Sequence, residues 1–78
     1  PNPFNPVTSI KFAISEQGLV SLVVYDISGR LIEVLSTKSY LPGYHSVVWN
    51  ADKFSSGIYF LSIETNGVNQ LQKLILMK

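Results

Sequence analysis

The feature that most constrains this chain is its rhythm. Short runs of alternating apolar and polar residues recur along it, separated by turn signals every ~8–12 residues. Ile10, Phe12 and Ile14 alternate with Lys11 and Ala13, and Val20, Leu22 and Val24 follow the same period of two. That period puts successive side chains on opposite faces of a strand. It predicts strands over residues 8–14, 19–26, 31–36, 44–49, 57–65 and 69–77. Between them lie Ser15–Gly18, Asp26–Arg30, Pro42-Gly43, a loop over residues 50–56, and Asn66-Gly67. Asn-Gly is a hairpin signal because both residues tolerate positive φ, and Gly29 suits a tight turn for the same reason. No stretch has a helical apolar period. The chain therefore reads as all-β, an antiparallel sandwich or barrel of about seven short strands. The seventh is expected from the proline-rich opening or from a split of the third.

The same alternation predicts the core. Ile10, Phe12 and Ile14, then Val20, Leu22 and Val24, then His45, Val47 and Trp49, then Tyr59, Leu61 and Ile63 face inward. Val23 and Tyr25 point the other way and are partly covered. Leu74–Met77 is apolar on both faces and assigns no inner side. The third strand alternates weakly. Residues 1–7 form an extended lead-in, because three closely spaced prolines lack donors and restrict their neighbours.

Size and charge narrow the function. Seventy-eight residues make one domain, which buries only ~60% of its unfolded surface. Net charge is +1, with the basic residues scattered from Lys11 to Lys78. This gives no electrostatic case for nucleic acid or an anionic membrane. There is no cysteine, so disulfides, thiolate metal sites and cysteine nucleophiles are excluded. No apolar run approaches the ~20 residues of a membrane span. The chain opens on Pro1 without Met and is expected to be a piece of a longer protein.

No catalytic constellation is legible. His45 is the only histidine, and it reads as a half-buried side chain hydrogen-bonded at a strand edge, without a partner for catalysis. Glu16, Asp26 and Asp52 fall in turns or at strand ends, and Glu33 and Glu64 are expected on solvent faces. No pair faces across a cleft as glycoside hydrolysis needs. Asp52 lacks the dense ligand spacing of a calcium loop. No phosphate-cradling, zinc or nucleophile-elbow motif occurs, and no cofactor is expected. Trp49 keeps step with Val47 and reads as buried, whereas Tyr40 and Tyr44 flank a turn and are the candidate sugar-stacking aromatics.

Five short motifs stand in order: Pro1-Asn2-Pro3-Phe4-Asn5-Pro6, Val24-Tyr25-Asp26-Ile27-Ser28-Gly29-Arg30, Leu41-Pro42-Gly43-Tyr44-His45 leading to Trp49, Ser56-Gly57-Ile58-Tyr59-Phe60, and Lys73-Leu74-Ile75-Leu76-Met77-Lys78. Together they resemble the type A C-terminal sorting domain of type IX secretion and the related immunoglobulin-like domain of flagellar hook-capping proteins. The resemblance covers essentially the whole chain. It implies an immunoglobulin-like sandwich at the C-terminus of an exported bacterial protein, with no enzyme activity. The partners it implies are the outer-membrane type IX translocon, a surface sortase that removes the signal, and an N-terminal cargo domain in the same chain. Transit through the periplasm then ends at the cell surface or in the medium.

By that resemblance the sorting-motif candidates are Pro1, Asn2, Pro3, Phe4, Gly29, Arg30, Gly57, Tyr59, Lys73 and Lys78. The Lys73–Lys78 spacing is one residue longer than the commonest form of the terminal motif, so both lysines stand as candidates. The final strand is expected to present an edge for strand addition, by a partner or in a weak homodimer. Two other readings fit the fold: an accessory module of a secreted glycoside hydrolase or protease, acting as spacer, stabiliser or weak polysaccharide binder, and a structural subunit domain of the hook-cap type.

Overall fold

The computed structural model describes residues 7–78. These form six strands: β1 (Val7–Ile14), β2 (Gly18–Asp26), β3 (Leu31–Tyr40), β4 (Gly43–Asn50), β5 (Gly57–Thr65) and β6 (Val68–Leu76). All pairings are antiparallel. β1 pairs with β4 in a two-stranded sheet, and the other four form a sheet in the order β3-β2-β5-β6. The Cα atoms span 38 × 28 × 16 Å, and the thin dimension suits two sheets ~10 Å apart.

The inward faces are those the alternation marks. Val20, Leu22, Val24 and Leu61 are fully enclosed, and Ile10, Phe12, Ile14, Trp49 and Tyr59 complete the core with Ala51 and Leu76. The ambiguous last strand turns Leu74 and Leu76 inward and Ile75 outward. Val23 and Tyr25 are half-buried on the outer face. Asn66 and Gly67 have φ of 48° and 81° and close the β5–β6 hairpin as their types predict.

β1 begins at Val7, taking up the last residue of the expected lead-in; residues 1–6 lie outside the described residues, so a strand there is not addressed. The alternative source of a seventh strand, a split third, is not found: β3 runs unbroken for ten residues. Its weak alternation has a different cause. The β2–β3 register slips twice: Val23 pairs with Val34 after Leu22 pairs with Ser36, and Tyr25 pairs with Leu31 after Val24 pairs with Glu33. Leu35 and Ile32 are the extra residues of two β-bulges, each leaving two neighbouring side chains on the same side. The exposure pattern accordingly has a period of three, with Leu31, Val34 and Thr37 out and the pairs between them turned in.

This corrects the expectation for Glu33. It lies opposite the enclosed Val24, on the inner side, where its Oε1 accepts the Trp49 indole N–H at 3.1 Å. His45 is half-buried. Its Nε2–H donates to the Leu41 carbonyl at 2.7 Å, and its ring packs on Phe12 and Tyr40.

Candidate functional site

The registers define two ends of the sandwich. Val7 pairs with Asn50, Asp26 with Tyr59, Tyr25 with Leu31, and Gly57 with Leu76. One end therefore carries the start of β1, the β2–β3 turn, the β4–β5 loop and the close of β6. The other carries the three remaining turns.

The β2–β3 turn is organised by one side chain. Asp26 Oδ1 accepts the Ser28 N–H at 2.9 Å, the Ser28 hydroxyl at 2.6 Å and the Arg30 N–H at 3.0 Å. Its Oδ2 takes the Arg30 Nε–H at 3.2 Å. The Gly29 N–H donates to the Asp26 carbonyl at 3.0 Å, with Gly29 at φ 87°. An Asx-type turn of this kind is why Asp stands at its first position. The Ser28 hydroxyl, then the Arg30 amide, hold the Asp26 carboxyl below its ordinary pKa. Arg30 itself is largely exposed.

Across from it, the β4–β5 loop is fixed by an aromatic cluster. Trp49, Phe54 and Tyr59 have ring centroids 5.5–6.3 Å apart, within the range of favourable aromatic pairs. The Tyr59 hydroxyl donates to the Ser55 carbonyl at 2.6 Å, and the Phe54 N–H to the Ala51 carbonyl at 3.0 Å. Gly57 follows at φ 156°. A Cβ there would meet no neighbour within 4 Å, so glycine is required by the backbone angle rather than by crowding. Beyond β6, the Lys78 N–H donates to Ser56 Oγ at 3.0 Å and its ammonium to the Asp52 carbonyl at 2.5 Å.

Five of the sequence candidates, Gly29, Arg30, Gly57, Tyr59 and Lys78, thus meet at one end. Lys73 does not: it pairs with Phe60 partway along β6 and is exposed on that edge. Pro1, Asn2, Pro3 and Phe4 lie outside the described residues. The five divide by role. Gly29 and Gly57 set backbone angles and Tyr59 is buried as a loop anchor, whereas Arg30 and Lys78 face solvent. Asp26 and Ser56, which shape this end, were not singled out as site residues. Asp26 carries a readable signal, an Asp two residues before Ser and three before Gly; Ser56 carries none, because its partner is 22 residues away.

Compared with protein families, residues 1–77 match the model of the secretion system C-terminal sorting domain. The chain belongs to that family. No curated protein and no solved structure matches it. As a sorting domain it serves as a secretion signal and is non-catalytic. Among its described residues no three His, Asp or Glu side chains gather as a metal ion would require.

Proposed function

We propose that this sorting domain is the C-terminal address of an exported bacterial protein, read by the outer-membrane type IX translocon and removed by a surface sortase, with its cargo on the N-terminal side of the same chain. The cargo then reaches the cell surface or the medium. The observation that carries the reading is the family match over residues 1–77, and the meeting of Arg30 and Lys78 on one rigid end supports it. A second surface fits strand addition, by the translocon or in a weak homodimer. β6 is an edge strand whose pairing with β5 has no bulge and whose one charge is Lys73. The opposite edge, β3, is broken by bulges, a device that blunts pairing.

Fusion of residues 1–78 behind a periplasm-targeted reporter in a type IX-competent host tests the proposal. Reporter in the medium or on the cell surface is expected; retention in the periplasm overturns it. One observation favours the accessory-module reading: Tyr44 is 92% exposed on the outer face of β4, open to stacking on a sugar ring. Retention on insoluble polysaccharide that Tyr44→Ala abolishes would establish it.

A further inference from the structure

Between the β2–β3 turn and the β4–β5 loop runs a groove that the motif residues alone do not explain. Ile32, Phe54 and Ile58 line it, with Ile27 at its lip. Ile27 is 74% exposed at the tip of its turn and adds to the apolar side chains that the groove offers a partner. Arg30 and Lys53 line the same groove, and Lys78 is held beside it on the β4–β5 loop. Two carboxylates stand at this end: Asp26 is engaged by its own turn through both oxygens, and Asp52 is exposed on the loop beside Lys53. Away from this end, three lysines (Lys11, Lys38, Lys73) balance three glutamates (Glu16, Glu33, Glu64), so the chain's net charge of +1 sits here, with Arg30, Lys53 and Lys78 against Asp26 and Asp52.

Resting on the sorting reading above, we infer that this groove is where the secretion machinery docks, and that its occupant is an extended peptide segment of a receptor protein in which apolar side chains are flanked by carboxylates. The chemistry selects this occupant on three counts. Ile27, Ile32, Phe54 and Ile58 supply the apolar part of a mixed lining and ask for apolar side chains. The rim carries cations with hydrogen-bonding heads free or partly free, and a guanidinium favours carboxylates bidentately. Three cations are fewer than the four to eight that recruit a protein to anionic lipid, and a groove between two loops suits a chain better than a membrane plane. Gly57 contributes by leaving the space above the start of β5 empty of side chain. The loop that forms one wall is rigid before docking, because Tyr59 and the Lys78 clasp already hold it, which lowers the ordering cost of binding.

The test uses the same reporter fusion with Lys53→Glu, with Lys53→Glu/Arg30→Glu, and with Lys38→Glu on β3 as the charge-matched control. Like charges facing across an interface cost several kcal/mol, so the double variant is expected to export at least ~10-fold less reporter than the unsubstituted fusion. Lys53→Glu alone should fall in the same direction, and Lys38→Glu should stay within ~2-fold. Lys53→Glu leaves the Asp26 turn intact; thermal unfolding of the 78-residue variants by circular dichroism separates a loss of docking from a loss of folding. Export of both groove variants at the unsubstituted level overturns the groove while leaving the sorting reading in place. Retention of the unsubstituted fusion overturns the sorting reading, and the groove's role with it. Binding of the domain to phosphatidylglycerol vesicles, lost in Lys53→Glu, would replace the peptide by an anionic lipid and overturn the inference.

Discussion

Removing the Glu33 carboxylate should destabilise the domain through Trp49. The indole N–H donates to Glu33 Oε1 at 3.1 Å, and Trp49 is 1% exposed. In Glu33→Ala that donor loses its partner in a nearly closed core. A hydrogen bond to a charged group is worth about 1.5–3 kcal/mol, against about 4–12 kcal/mol for a whole domain of this length. Glu33→Ala should therefore cost about 2 kcal/mol. With a urea slope near 1 kcal/mol/M, the unfolding midpoint falls by about 2 M. Glu33→Gln keeps an acceptor and should cost less than about 1 kcal/mol. A double-mutant cycle with Trp49→Phe isolates the pair, followed by far-ultraviolet circular dichroism because Trp49→Phe removes the only tryptophan. A coupling of about 1–2 kcal/mol is expected. A coupling below about 0.5 kcal/mol, the additivity limit for independent sites, would refute the argument. It would also refute the bulge-driven placement of Glu33 on the inner side.

Gly57→Ala should cost about 1–3 kcal/mol, since φ 156° strains any residue with a Cβ; a midpoint unchanged in urea would remove the conformational argument. Tyr59→Phe removes the bond to the Ser55 carbonyl and should cost about 0.5–1.5 kcal/mol, with faster amide exchange confined to residues 51–56. Exchange that rises evenly across the core would contradict the anchoring role. The Asp26 carboxyl has a lowered pKa in the fold, so its contribution to stability is complete above the unfolded aspartate value of ~3.9 and is lost as pH falls through the lower folded one. Between pH 5 and pH 2 the unsubstituted domain should lose stability more steeply than Asp26→Asn; parallel acid limbs would show that the turn is indifferent to the charge.

How much of this was legible depended on how local the cause was. The inner faces of β1, β2, β4 and β5 follow from simple alternation, because a strand with no bulged residue of its own keeps its period of two. β3 broke the rule because Ile32 and Leu35 are bulged. A bulge is set by which partner residue each amide finds, and that information lies in β2. Glu33 reads as a solvent-facing residue until the slip is known. The same division holds at the candidate site. Gly29 and Asn66-Gly67 announce their turns from two or three neighbouring residues. The Lys78 contacts with Ser56 and Asp52 span 22 and 26 residues, and no local pattern encodes them.

The gathering of motif residues at one end follows from parity rather than from any one contact. Each strand runs opposite to its paired neighbour. Residues 7–78 cross the slab six times in alternating directions. After an even number of crossings the path must finish on the side where it started, so Val7 and Leu76 share an end. The same count sends the β2–β3 turn and the β4–β5 loop there, and the other three connections to the opposite end. An odd number of strands would have separated the start of β1 from the close of the last strand by the full length of the slab. With six, the docking proposed above would meet the Asp26 turn, the loop before Gly57 and Lys78 on a single face. Substitutions in the turns at the far end, such as Pro42 or Gly67, should change stability before they change sorting.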